Sequence, residues 1–267
     1  MYVYNIPYWI EAFLRNSRPV RFLGDIDPEP VKHTLLFSMI DSFSYTSLGL
    51  LDILKMLYSE HRISKVIFLS TYGIYGDKLN RLPVSETEQT HPSDQYSTIA
   101  HSVEEVLDYL SQKYEVPTYV LRLFTVYSPF QPISYIVPWI VNSIMHDKVL
   151  MIGDIEKVRD YIYVSDVANL IHIIANSEEN DVFNIVNVGT GKPTSVGELI
   201  EITEFIVGKK AQVVFDATRI REEFDPDYAV SDISKAKKMF DWEPKVDLEQ
   251  GITYMYHWLM GRGSVNV

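Results

Sequence analysis

Apolar positions along this chain follow two rhythms. Short runs rich in β-branched residues read as strands: RFLG at 21–24, TLLFSM at 34–39, KVIFLS at 65–70, PTYVLRLF at 117–124 and VFNIVNV at 182–188. Elsewhere apolar side chains return every three or four positions. That spacing predicts helices near 46–60, 96–114, 136–147, 166–177, 195–207, 232–240 and 248–260. Asp232 and Asp247 stand where N-caps belong. Strands alternating with helices predict an α/β fold, a parallel sheet joined by crossover helices. No repeat, low-complexity tract or Gly/Ser linker breaks the pattern, so its lobes are expected to share one continuous body.

Composition narrows the picture by exclusion. At 267 residues the chain can hold one large domain or two coupled lobes. A net charge of −12 suits neither a nucleic-acid nor an anionic-membrane surface. No apolar run approaches the ~20 residues of a membrane span. The opening MYVYNIPYWIEAF has no basic n-region or small-residue cleavage site, so no signal peptide is expected. The chain has no cysteine, which excludes disulfides, thiolate metal sites and cysteine nucleophiles and fits the cytoplasm. The seven histidines form no H-x-H or HExxH pattern, so no metal site is expected. No Gly-x-Ser-x-Gly elbow supports serine hydrolysis.

The candidate chemistry centres on a tyrosine. VIFLSTYGIYG runs from Val66 and places Thr71 at a strand end, and Tyr96 opens the helical stretch QYSTIAHSVEEVLDYL. A Ser or Thr at a strand end, a YG pair and a Tyr-x-x-x-Lys helix resemble the extended short-chain dehydrogenase/reductase family, which includes NAD-dependent nucleotide-sugar epimerases and dehydratases. Here the lysine position, four residues after Tyr96, is Ala100. A free phenol has a pKa near ~10, and a nearby ammonium lowers it by favouring the phenolate. Residues i and i+4 share a helix face, so position 100 is where that charge belongs, whereas His101 points away from the stripe. Thr71 and Tyr96 are therefore read as a vestigial catalytic pair.

The resemblance spans about residues 20 to 260. VRFLGDI looks like the family's third-strand segment, which implies that Asp25 meets the adenine, and Ser70 is a further, weaker cofactor candidate. LPVSETEQTHPSDQY, with Glu86 and Pro92 in register, resembles the loop before the catalytic tyrosine. VLRLFTVYSP resembles the segment after the catalytic helix, with Thr125 for the usual asparagine and Ser128 for the usual glycine. MIGDIEKVRDYIYVSDVANLI carries Arg159 and Asp166 of a late motif. The resemblance implies a diphosphate-gripping role for Arg159, and a surface ion pair with one of the 36 acids is the equal alternative. Arg219 and Arg221 lie where the family places another phosphate-binding arginine, in a rearranged, acidic REEFDPD. The substrate-binding candidates are Thr125, Arg159 and Arg221. NVGTG, ending at Gly191, is implied to be a structural turn, and SDISKAKKMFDWEPKVDLEQGI resembles the C-terminal signature.

The family opens with a strand, a G-x-x-G-x-x-G turn and a helix, whose backbone cradles the pyrophosphate. Only Gly24 and Gly49 precede Gly73 here. In one register the three glycine positions fall on Asn5, Tyr8 and Glu11. In another, residues 1–18 form a later helix and the first strand and turn are absent. A truncated reading frame is the third explanation.

The expected architecture is a Rossmann-like parallel sheet flanked by helices, N-terminally truncated or degenerate, with a smaller C-terminal substrate-type lobe. Residues 1–130 form the larger lobe, 160–190 return to it, and 131–267 form the smaller one. The favoured function is a degenerate NAD-dependent epimerase/dehydratase-like protein that has lost ordinary redox catalysis yet binds a nucleotide-linked sugar, another small molecule or a partner subunit. An active NAD-dependent epimerase/dehydratase, or a cofactor-independent reaction in the inherited cleft, are the alternatives. The cofactor expectation is none or weakly bound NAD. The resemblance also implies a homodimer through LGLLDILKMLY and IAHSVEEVLDYLSQKY.

Overall fold

The computed structural model describes residues 2–4, 21–22, 33–38, 55, 58–59, 63–77, 79, 82–178, 181–220 and 224–261, with the backbone alone for 2–4, 21–22, 33 and 38. Thirteen strands and six α-helices are assigned among them. The main sheet holds β1 (Tyr2–Tyr4), β2 (Arg21–Phe22), β3 (His33–Ser38), β4 (Ile63–Thr71), β5 (Thr118–Leu123) and β10 (Phe183–Val188). Their order is β2-β1-β3-β4-β5-β10, and every pairing is parallel. Such a sheet needs a crossover between neighbouring strands, and the sequence supplies helices there. The expected α/β fold is what forms.

Both faces of the sheet are covered, which explains the unbroken apolar run VIFL in β4. Successive residues alternate between two cores. Leu35, Phe37, Val66, Phe68 and Val120 meet Val103, Leu107 and Leu110 of helix α1 (Gln95–Tyr114) together with Tyr58. On the other face Leu36, Ile67, Leu69 and Leu121 share one cluster with Ile140, Leu170, Leu199 and Ile252. Those four come from α2 (Ile136–Met145), α3 (Val164–Asn176), α4 (Val196–Val207) and α6 (Leu248–Leu259). A single apolar core therefore runs from the sheet into the C-terminal helices. Lys65 of β4 is 6% exposed. Its Nζ donates to the carbonyls of Ile174 and Ser177, both at 2.7 Å, and so closes the C-terminal end of α3.

Capping is as local chemistry dictates at three helices. Asp94 caps α1, Ser195 with Glu198 caps α4, and Asp247 with Gln250 caps α6. One expectation is corrected. Helix α5 (Ser234–Phe240) has Ile233 at its N-cap, and Asp232 instead accepts from Ser234 N at 2.9 Å, a turn just outside the helix. At the N-terminus, β1 is a strand between β2 and β3, where the reading of 1–18 as a helix put none. Asn5, Tyr8 and Glu11 lie outside the described residues.

Shorter strands complete the fold: β6 (Thr125–Tyr127), β7 (Val149–Ile152), β8 (Val158–Arg159), β9 (Tyr161–Tyr163), β11 (Thr194–Ser195), β12 (Gln212–Phe215) and β13 (Tyr228–Ala229). β6 pairs with β9 in parallel, and the buried Tyr127 of β6 lies against α6. A Cβ on Gly251 of α6 would fall 2.0 Å from Tyr127 Oη. Gly→Ala inside a helix ordinarily gains ~1 kcal/mol. Here overpacking reverses the sign, and Gly251→Ala should lose about 2–3 kcal/mol. Urea unfolding checks this, and a stabilised variant would contradict the packing described.

Candidate functional site

Thr71 ends β4 and caps a short 3-10 turn, Tyr72–Tyr75, accepting from Gly73 N at 3.1 Å. This turn lies against the start of α1: a Cβ on Gly73 would sit 3.2 Å from Ser97 Cβ and 3.4 Å from Thr71 Oγ1. The fold thus brings the turn carrying Thr71 against the residue next to Tyr96. Both side chains are half-buried. One helical turn beyond Tyr96, Ala100 is 1% exposed, a methyl group enclosed in packing. His101 turns to the preceding loop, its Nε2 2.8 Å from Thr90 Oγ1 and its Nδ1 3.9 Å from Glu105.

Ser70, the weaker cofactor candidate, is the residue before Thr71 on β4. Strand alternation sends it to the α1 face, where its hydroxyl donates to Glu104 Oε1 at 2.5 Å. Ser70, Arg122 and Asn187 stand in register across β4, β5 and β10. Arg122 Nη2 donates to Glu104 Oε2 at 2.7 Å, and both side chains are 4% exposed. The guanidinium lies 4.8 Å from the centre of the Tyr75 ring, and Tyr75 donates to Asn187 Oδ1 at 2.7 Å. Burial pushes the Tyr75 hydroxyl up to about 12 despite the opposing pull of Arg122. Asn187 in turn donates from its amide to Val84 O and from its backbone to Glu86 Oε1, each at 2.8 Å. This polar row behind the Thr71 turn escaped the sequence reading, although the alternation of Ser70 and Thr71 was its signal.

Strands β6, β8 and β9 carry the remaining candidate residues. Thr125 pairs with Tyr161, and its N–H donates to Asp160 O at 2.9 Å. The Tyr161 hydroxyl is buried with no hydrogen-bond partner among the described residues, and burial raises its pKa against the pull of Arg159. Arg159 is engaged within the chain: Nη1 donates to Val158 O at 2.9 Å and Pro226 O at 2.7 Å, and Nη2 to Asp225 Oδ1 at 2.7 Å. Asp225 is thus its ion-pair partner. Phe224 meets Tyr72 edge-on, with ring centres 5.2 Å apart, and Tyr72 stacks on Phe124 at 5.0 Å. Arg219 is exposed, 5.9 Å from the Trp139 ring. Asp25 and Arg221 lie outside the described residues.

NVGTG is held by Asp160. This fully buried carboxylate accepts from Thr190 N (2.7 Å), Thr190 Oγ1 (2.6 Å), Gly191 N (2.9 Å), Ser231 N (3.1 Å) and Ser231 Oγ (2.5 Å). A Cβ on Gly189 would fall 2.3 Å from Ser231 Oγ and 2.4 Å from Asp160 Oδ2. The turn packs against a side chain of the chain itself. Among the described residues no group of three or more His, Asp or Glu could hold a metal ion, and no helix is long and apolar enough to cross a membrane.

For pairing of two copies, α1 offers little apolar surface. Val103, Leu107 and Leu110 already face the sheet, and Thr98, Ser102, Glu105, Asp108, Tyr109 and Gln112 face outward. The stretch 48–58, apart from Lys55 and Tyr58, lies outside the described residues.

Residues 38–255 match the family described as GDP-mannose 4,6 dehydratase. The chain is 31% identical over 217 residues to a protein of Methanocaldococcus jannaschii, covering 79% of this chain and 68% of that one. It is 29% identical over 221 residues to the UDP-glucuronate 4-epimerase of Thermodesulfobacterium geofontis, covering 82% and 65%. The chain thus spans about two thirds of the length of these relatives. Among solved structures, MoeE5 in complex with UDP-glucose and NAD superposes with a TM-score of 0.81 at 19% identity, over 98% of this chain and 99% of that one. The UDP-glucose 4-epimerase of Thermotoga maritima with UDP-glucose gives 0.79 at 22% identity, over 98% and 99%. At these identities the structural likeness establishes the fold.

Proposed function

Because the chain belongs to the GDP-mannose 4,6-dehydratase family of nucleotide-sugar epimerases and dehydratases, we propose that it binds a nucleotide-linked sugar without ordinary NAD-dependent turnover. One observation carries this reading: the position one helical turn beyond Tyr96 is a methyl group closed off from solvent. An unassisted phenol is only ~0.1% ionised at neutral pH, so a tyrosine base needs a cation beside it. Ala100 supplies none.

Two of the described candidate positions also offer a bound NAD nothing. Ala100 has no donor for a ribose hydroxyl, and the Ser70 hydroxyl is committed to Glu104. No catalytic step is therefore routed through that cofactor. What supports retained binding is the family itself, together with the ligands named for the solved neighbours, UDP-glucose among them.

Calorimetry on the purified protein tests the proposal with NAD, UDP-glucose, UDP-glucuronate and a dTDP-sugar as separate titrants. Heat of binding with at least one nucleotide sugar and none with NAD is the expected result. Stoichiometric NAD carried through purification, or micromolar affinity for it, overturns the reading in favour of an active enzyme. Ala100→Lys alone should restore no epimerase product, since the sequence still lacks the G-x-x-G-x-x-G turn that cradles the pyrophosphate. A homodimer remains a proposal with a polar α1 seam, and sedimentation showing only monomer at micromolar concentration removes it.

A further inference from the structure

Strand β12 has β7 on one side and, among the described residues, no strand on the other. Asp216 N donates to Ile152 O at 2.8 Å, so the backbone groups of Val214 and Asp216 face β7. By strand alternation, the N–H and C=O groups of Val213 and Phe215 point outward from the sheet edge. They make no hydrogen bond among the described residues. Two residues before Val213 the edge is closed, because Ala211 N donates to Glu204 Oε1 at 2.8 Å. What stays open is a short stretch with two donors and two acceptors.

The side chains along this edge are apolar and exposed. On one face Val214 is 45% exposed, beside Met151 of β7. On the other face Phe215 is 66% exposed, and Phe205 of α4 81%. Phe205, Val213, Ile155 and Ile200 line a groove of about 740 Å³, roomy enough for a phenyl ring. An open edge with apolar side chains on both faces is a template for another strand.

A second copy of the same strand fits the template. Antiparallel pairing about a two-fold axis at Val214 sets Val213 of each copy opposite Phe215 of the other. Each of these pairs exchanges two N–H···O bonds, so all the outward groups are used and Ala211 keeps Glu204. Opposite residues share a face, so Phe215 of each copy falls beside Val213 of the other, at the groove under Phe205. Knob and groove belong to one patch, as a two-fold contact requires. Such a contact buries on the order of 400–600 Å² per copy, below the ~800 Å² of a standard interface, so the dimer is concentration-dependent rather than obligate.

We propose that β12 is the docking edge for a second copy of this chain, pairing antiparallel about Val214. The inference does not depend on the nucleotide-sugar reading above.

The absence of cysteine from the chain makes a direct test available. Val214→Cys puts a thiol on the two-fold axis, where opposed Cα atoms stand ~4.5 Å apart, within disulfide reach. Mild oxidation at tens of micromolar should yield a disulfide-linked dimer on non-reducing gels. Val149→Cys, equally exposed but two strands from the axis, should cross-link at least fivefold less. Adding Phe215→Lys to Val214→Cys should cut the cross-linked fraction at least fivefold. Sedimentation of the wild type against Phe215→Lys keeps the test open should Val214→Cys fail to fold, and circular dichroism checks each variant. The wild type should associate with rising concentration and Phe215→Lys should stay monomeric. If Val214→Cys cross-links no more than Val149→Cys, or Phe215→Lys associates as the wild type does, β12 is not the seam and the inference falls. A wild type that stays monomeric at hundreds of micromolar also overturns it.

Discussion

Asp160→Ala should cost the protein about 4 kcal/mol of stability, read as a lower urea midpoint with an unchanged slope. The carboxylate is fully buried and takes five hydrogen bonds from three residues. A hydrogen bond to a charged group is worth ~1.5–3 kcal/mol, and a buried donor left unmade costs ~1–3 kcal/mol. The values do not add, because the turn can relax toward the space left behind. The direction is nonetheless fixed, since Thr190, Gly191 and Ser231 lose a common acceptor at once. Asp160→Asn should retain about half of the stability at issue. Its carbonyl oxygen can still serve the two donors of Thr190, but its amide nitrogen then faces the three donors of Gly191 and Ser231. A loss under ~1 kcal/mol for Asp160→Ala would mean that these donors find other acceptors.

Glu104→Ala is the second large effect, at about 3–5 kcal/mol, because it strands a guanidinium inside the protein. Arg122 Nη1 already has no hydrogen-bond partner among the described residues, so Glu104 is its main compensation, with the Tyr75 ring second. The decisive control is the double variant Glu104→Leu, Arg122→Met. Replacing both charges with apolar groups of similar volume is often close to neutral, whereas removing one partner is not. Denaturant unfolding should therefore find the double variant more stable than Glu104→Ala. The reverse order would show that the Ser70–Glu104–Arg122 row contributes more than it costs to desolvate.

Much of the fold was legible because local rules and tertiary demands agree. KVIFLS and PTYVLRLF are strands since both faces of the sheet are covered, and SVGELIEITEFIV is a helix with its capping box spelled out by Ser195 and Glu198. The short strands were not legible: a pair such as Val158–Arg159 is extended only because Thr194–Ser195 and Tyr228–Ala229 lie beside it. At the site, the relation of Tyr96 to Ala100 follows from helix geometry alone. The partner of Arg159 does not, since Asp225 lies 66 residues away and REEFDPD offers several acids. Ser70 shows a rule that was available and unused. Neighbours on a strand face opposite ways, which sends the Ser70 hydroxyl to Glu104 while Thr71 accepts from Gly73 N. Asp232 failed as a cap for a smaller reason, its helix starting one residue later than the spacing suggests.

The Lys65 ammonium has a consequence for the order of events during synthesis. Its acceptors, the carbonyls of Ile174 and Ser177, come 109 and 112 residues later. At ~5–20 residues per second, a ribosome needs about 5–20 s to supply them. Until then the two carbonyls that hold the Lys65 ammonium are missing, and closing an apolar layer over it is unfavourable. The emerging sheet therefore waits for the middle of the chain. A ribosome stalled before residue 174 should therefore hold a chain that keeps the Lys65 ammonium in water and its central strand uncovered on that face.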